Sequence, residues 1–287
     1  MRKKLLIVVT FVCVFVSGTV HAHGPQIQVT VDNNQITTRN LFLNEPYNTY
    51  PAPASSPVSV YVMPLAPINA FGGTEWFAQP NSGFQVTGPG IAWGYGWTYT
   101  DSTHYGTNNV PVGANFVETM NGGLQQWDGS AFVTAAHGAQ LAGYRSSGTQ
   151  AISGSATPSF TYSAIAAPTA PSPDPHGSAF WQLTGDGVIP NAGHPPAAVD
   201  DGIYVEEIQL SLINQPVGSD VQSSAPFHFV LFKGVDVSDA AAAAELAFPG
   251  ASIQVVPEPA ALGLLCITGC LLIGTRRRRR LLTSVSE

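Results

Sequence analysis

Between residues 23 and 255 the chain has no cysteine; Cys13, Cys266 and Cys270 all lie inside terminal apolar runs. A disulfide framework, a thiolate zinc site and a cysteine nucleophile are thereby excluded from the body, which must hold together by packing. Positive charge is nearly as scarce. Eight of the eleven Lys and Arg form two terminal blocks, leaving only Arg39, Arg145 and Lys233 between them. Sixteen of the eighteen acids fall in the same interval, so 3 bases against 16 acids give the body a formal charge of −13. Such a surface repels polyanions and attracts cations, which excludes nucleic acid as a partner. Also missing are a Gly-x-Ser-x-Gly elbow, a His-Glu-x-x-His pair and a phosphate-binding loop.

What is present narrows the fold. Hydrophobic residues make up 44% of the chain, too many for a disordered tail, while 29 Gly and 23 Pro are too many for a helical bundle. The body is long enough for one large all-β domain or two small ones with a real core.

The ends read clearly. Arg2-Lys3-Lys4, the apolar stretch Leu5 to Val16 and the small residues around Val20-His21-Ala22 make a secretory signal over 1–22, cut between Ala22 and His23. An uncleaved anchor is the alternative, but the apolar stretch is short for a span. At the other end Val256-Pro257-Glu258-Pro259 precedes an apolar run from Ala260 to Thr275 and then Arg276 to Arg280. The prolines end the preceding strand and keep the spacer extended. As a helix the run is about 24 Å long, slightly short of a bilayer core. The arginines hold the C-terminus, including the tail 281–287, in the cytoplasm.

Pro257-Glu258-Pro259, the apolar run and Arg276, Arg277 and Arg278, in that order, resemble the PEP-CTERM sorting signal of Gram-negative, exopolysaccharide-producing bacteria. The resemblance covers segment 256–280. It implies handling by an exosortase at the inner membrane, cleavage near the motif, and delivery to the envelope or extracellular matrix, with exopolysaccharide as a neighbour.

The body, 23–255, reads as strands. Ile27, Val29 and Val31 alternate with Gln28 and Thr30. Ala52 to Pro67, studded with prolines, reads as an irregular loop or edge. Trp127-Asp128-Gly129-Ser130 carries a hairpin turn, preceded by Asn121-Gly122-Gly123. Ser153 to Pro173 reads as a flexible excursion. The strongest pattern comes late: Tyr204, Ile208, Leu210 and Leu212 share one strand face, and Phe227, Phe229 and Leu231 share another. Asp236 to Leu246 reads as the one helix, with Ser238 as its N-cap. The expectation is an all-β fold, an antiparallel β-sandwich with one short C-terminal helix, flanked by the signal peptide and a transmembrane helix.

Trp127-Asp128-Gly129, His176-x-x-x-x-Trp181-x-Leu183, Gly202-Ile203-Tyr204 and Pro226-Phe227-x-Phe229-Val230-x-x-Lys233-Gly234 resemble blocks of a planctomycete family of secreted PEP-CTERM proteins. More weakly, they resemble cyanobacterial PEP-CTERM proteins under a zinc repressor and actinobacterial surface-anchored domains associated with metal transport. Where that family has His-x-His, this chain has His176-Gly177-Ser178.

The candidate chemistry is sparse. Cleavage after Ala22 would make His23 the first residue, offering an amine and a ring nitrogen to one metal ion. Gly24 lets the backbone fold around an ion, and Pro25 removes a competing amide ligand. His23 and His176 are therefore the candidate ligands for zinc or copper. His104, His137, His194 and His228 show no local ligand spacing and read as loop or sheet residues. Glu206 and Glu207 are strand neighbours on opposite faces, which excludes a joint acid–base role. Asp200-Asp201-Gly202 reads as a turn, with a weak Ca²⁺ loop as the alternative. Trp93, Tyr95 and Trp97 read as core or, presented outward, as a sugar-stacking platform. The functional expectation is an exported, non-catalytic envelope or matrix protein that binds zinc or copper. The alternatives are a structural or carbohydrate-contacting matrix component and, last, a histidine-brace copper oxidase.

Overall fold

Alternation governs the central strand of the molecule, a computed structural model that describes residues 26–42, 56–68, 75–78, 96–99, 110–144, 150–164, 176–178, 180–186 and 199–255. That strand is β13 (Gly202–Ile213), and side chains at a spacing of two share one face of it. Tyr204, Ile208, Leu210 and Leu212 enter the main core, while Ile203 and Val205 enter a second, smaller one. Its neighbour β14 (Phe227–Lys233) divides likewise: Phe227, Phe229 and Leu231 face the main core and Val230 and Phe232 the other.

The described residues form an all-β fold of two sheets with one short helix. The smaller sheet has the order β11 (His176–Ser178), β5 (Gly96–Tyr99), β1 (Gln26–Asp32), β2 (Gln35–Phe42). The larger runs from β10 (Ser159–Ala164) through β6 (Asn115–Trp127), β13 and β14 to β3 (Val60–Ile68). It continues through β4 (Glu75–Ala78), β12 (Phe180–Thr184) and β8 (Gln140–Tyr144) to β9 (Gln150–Ile152). Two short strands lie off this path: β7 (Phe132–Thr134) pairs with β6, and β15 (Ile253–Val255) pairs with β3. The strands ending the path, β9 and β10, follow one another in sequence across the turn at 153–158.

The sheets are not purely antiparallel, which corrects one expectation. Pairs β1–β5, β14–β3 and β15–β3 are parallel. Parallel neighbours need a long crossover, usually helical. Here α1 (Val237–Ala247) supplies it, carrying the chain from β14 across β3 to β15. Ala240, Ala243 and Ala244 are the buried stripe of α1; their small side chains pack close to Val60, Val62, Val230 and Phe232. The helix begins after Asp236, so Ser238 lies inside it and is not its N-cap.

Three other expectations change. The proline-rich stretch 52–67 was expected as loop or edge, but its second half is β3, a strand with neighbours on both sides. Phe232–Pro64 is the last pair with β14, and Leu65 begins the pairing with β4. Proline has no N–H to donate, so it fits where a strand exchanges partners. Asn121-Gly122-Gly123 is no turn but an irregularity inside β6. There the register with β13 slips between Val205 and Glu207, and Gly122 takes φ +92. In the Ser/Thr-rich segment 153–173 a tight turn and strand β10 occupy 153–164, and 165–173 lie outside the described residues. By contrast, the hairpin at Asp128 forms as read. Its carboxylate accepts from the Ser130 and Ala131 amides and the Ser130 hydroxyl, which holds the Asp128 pKa below the usual carboxylate range.

Among the described residues no helix is long and apolar enough to cross a membrane. Segments 1–22 and 256–287 lie outside the described residues.

Candidate functional site

Register assembles one polar row on the outer face of the larger sheet. Glu207 of β13 sits opposite Asn121 of β6 on one side and His228 of β14 on the other. The Asn121 amide donates to Glu207 Oε1 at 3.1 Å, and His228 Nε2 lies 3.6 Å from Glu207 Oε2. The Glu207 side chain is 38% exposed and that of His228 23%. Burial pulls the His228 pKa below the usual imidazole value, against the opposing pull of Glu207 and the Ser59 backbone. The row thus joins an amide, a carboxyl group and an imidazole whose uncharged form burial favours.

Aromatic rings continue the row. The His228 ring lies 4.2 Å from that of Phe248, which follows α1; Phe248 stacks on Phe132 at 6.1 Å, and Phe132 meets Trp127 edge-on at 5.1 Å. All four are half-buried, and Trp127, Phe132 and Phe248 pack against the second core.

One residue away the chemistry inverts. Glu206 points into the main core opposite Phe229, is 1% exposed, and has no hydrogen-bond partner on either carboxyl oxygen by distance and angle. Burial raises its pKa to about 9, the charge of Glu207 adds to the rise, and the nearby Ser153 hydroxyl opposes it. It is therefore a neutral acid at pH 7. Glu118 of β6 is buried on the same side and accepts a 2.6 Å hydrogen bond from Tyr162. The two neighbours do point to opposite faces, as alternation requires.

The other candidates disperse. Asp201 pairs with the buried Lys233, and Asp200 receives the Tyr204 hydroxyl on its backbone carbonyl and lies 3.5 Å from exposed His137. With Asp201 committed to a cation, the turn reading of Asp200-Asp201-Gly202 is the simpler one. No group of three His, Cys, Asp or Glu able to hold a metal exists among the described residues. His176 opens β11, with its backbone opposite Thr98 of β5; β1 flanks β5 on the other side and enters at Gln26, level with Ser178. Trp97 pairs through its backbone with Ile27 and Gly177. His23, Ala22, Trp93, Tyr95, Pro257, Glu258, Pro259, Arg276, Arg277 and Arg278 lie outside the described residues.

The row Asn121–Glu207–His228 was not read from sequence. Its members are far apart in the chain, and only strand register brings them together. A signal did exist for Glu206: it has the parity of Tyr204 and Ile208, the core face. Comparison with protein-family models, with curated proteins and with solved structures found no match. Function must be argued from these residues.

Proposed function

We propose that this chain is an exported, exosortase-sorted component of the cell envelope or extracellular matrix, non-catalytic, with a β-sandwich body that contacts matrix material. The observation that carries the reading is the boundary at the C-terminus. Strand β15 pairs with β3 up to Val255, and the Pro257-Glu258-Pro259 motif begins two residues later. A folded body thus gives way directly to the tripartite sorting sequence, with no further domain between them. The sandwich reading draws on β3, which pairs with β14 through Pro64 and with β4 from Leu65, as a strand passing between two layers does. The acidic body suits a polymer-rich exterior in which solubility rests on net charge.

The test replaces Pro257, Glu258 and Pro259 with alanine and follows the protein through inner-membrane, outer-envelope and matrix fractions. Retention of the variant in the inner membrane, with the parent in the matrix, is the expected outcome. A variant that reaches the exterior as the parent does overturns the sorting reading.

Metal binding through His23 and His176 is a second element of the proposal. It draws on the resemblance at His176 and on the attraction of the −13 body for cations.

A further inference from the structure

We infer that the turn 153–158 is a proton-linked clasp, which holds the two ends of the larger sheet together while Glu206 keeps its proton and loosens as that proton leaves.

The path of the larger sheet ends in β10 on one side and β9 on the other, and the turn 153–158 joins these two strands. Its first two residues tie both sides at once. Ser153 donates its amide to the Leu141 carbonyl at 2.9 Å, and its hydroxyl oxygen accepts from the Leu141 amide at 2.9 Å, which fixes it to β8. The Gly154 amide donates to the Gly122 carbonyl, which fixes the next residue to β6. At the far end of the turn the Pro158 carbonyl accepts from the Met120 amide of β6 at 2.8 Å. Opening these six residues parts the two ends of the sheet while β13 and β14 keep their ladders, as a local unfolding unit does.

Glu206 lies at the clasp. The register slip of β6 opposite it, between Asn121 and Gln125, holds Gly122 and Gly123. The fully buried Ser153 stands near its carboxyl, and Phe229 of β14 lies opposite. Gly123 and Gly154 meet backbone to backbone, for a Cβ on Gly154 would come within 3.3 Å of the Gly123 Cα. Lifting the turn therefore opens a way for water to Glu206, with no side chain at that contact to close behind it.

The groups around Glu206 oppose a charge there. Ionisable residues on the main-core side of its neighbours are Tyr204 on β13 itself, Glu118 of β6, Tyr162 of β10, Tyr61 of β3 and, by alternation, Lys233 of β14. Tyr162 donates to Glu118, Tyr61 donates to the Arg39 carbonyl, and Lys233 pairs with Asp201. Strands β9 and β12 and the turn bring no ionisable residue. The charge that acts on Glu206 is that of Glu207, and it repels a second negative charge. With the clasp closed the acid stays protonated; with the clasp open and water at the carboxyl it ionises as an ordinary glutamate. Opening thus releases a proton between pH 4.5 and about 9 and becomes easier by about tenfold per pH unit across that interval. Above it the closed form is ionised too, and the dependence levels off.

Hydrogen exchange of the full chain in detergent micelles, measured from pH 5 to pH 8 and corrected for the intrinsic rate, tests the inference. The Ser153 and Gly154 amides should exchange faster than those of β13 and β14 at each pH, and their protection should fall by about tenfold per unit. Glu206→Gln keeps the shape and cannot ionise, so this variant should hold its pH 5 protection up to pH 8. Should Glu206→Gln fail to fold, Glu206→Met, also uncharged, takes its place. Exchange of Ser153 and Gly154 only in step with β13 and β14, protection in the parent that does not change with pH, or the same slope in the uncharged variant each overturns the clasp.

Discussion

Glu206 lies sealed in the main core opposite Phe229, while Glu207, the next residue, lies 3.6 Å from His228 on the outer face. One peptide bond separates a neutral buried acid from a solvated carboxylate. The sheet makes the division, because each step along an extended strand reverses the side chain.

The buried acid makes stability depend on pH. Its pKa is raised from 4.5 to about 9 on folding, so between these values the folded chain binds a proton that the unfolded chain does not. Stability from this group is fully present below pH 4.5 and declines as pH rises toward 9, by about 1.4 kcal/mol per unit at most. The parent should therefore be less stable at pH 8 than at pH 5, by on the order of a few kcal/mol. Glu206→Gln should flatten the slope and stabilise the protein on the alkaline side. Chemical denaturation across this range measures it, and a flat parent profile would show that Glu206 is solvated or paired.

Packing around Trp181 gives a second expectation. Gly143 pairs with Trp181 across β8 and β12, and a Cβ placed there would come within 2.8 Å of both the Phe160 and Trp181 rings. Gly143→Ala should destabilise the protein by about 1–3 kcal/mol, the range for overpacking. Unfolding midpoints of parent and variant decide it. An unchanged midpoint would mean that the Phe160 and Trp181 rings shift aside at little cost.

Signal processing gives a third. N-terminal sequencing of the exported protein should begin at His23. A start at Met1, or several residues further on, removes the terminal amine from reach of any ring nitrogen at His23.

The metal proposal depends on that cut. Calorimetric titration of Zn²⁺ and Cu²⁺ into the processed protein should show a saturable site that weakens below about pH 6, as imidazole ligands take up protons. His23→Ala and His176→Ala should each reduce affinity well beyond the effect of net charge. A protein with no saturable site, or variants that bind as the parent does, would dispose of the reading.

How much of this was legible in the sequence varied with the kind of information needed. The alternation of Tyr204, Ile208 and Leu210, the Phe227–Phe229–Leu231 face and the alanine-rich helix are local patterns, and they read correctly. Strand β3 did not, because Pro64 and Pro67 oppose a ladder; the exchange from β14 to β4 explains the place of Pro64, while Pro67 sits within the pairing with β4, opposite Trp76. The glycines at 122 and 123 advertise a turn; a long strand with a register slip uses the same backbone freedom. The outer row is invisible without register, since Asn121 and Glu207 are 86 residues apart. His176 opens β11 opposite Thr98 of β5, and His23, the ligand proposed to join it, lies outside the described residues.

The parallel pairing of β15 with β3 has a mechanical consequence. Where the C-terminal run holds the chain at a membrane and the matrix holds the body, tension enters at Val255 along the direction of β15. It slides Ile253, Gln254 and Val255 past Val60, Tyr61 and Val62, so the ladder is loaded in shear and its bonds resist together. Three residue pairs are nonetheless a short ladder, and behind them lies α1, held mainly by small alanine contacts. Under sufficient pull β15 should slip and α1 unwind first, lengthening the tether at about 3.3–3.6 Å for each residue released. Strands β13, β14 and β3 would stay paired, so the row Asn121–Glu207–His228 would keep its shape while Phe248 leaves His228 with the yielding leash.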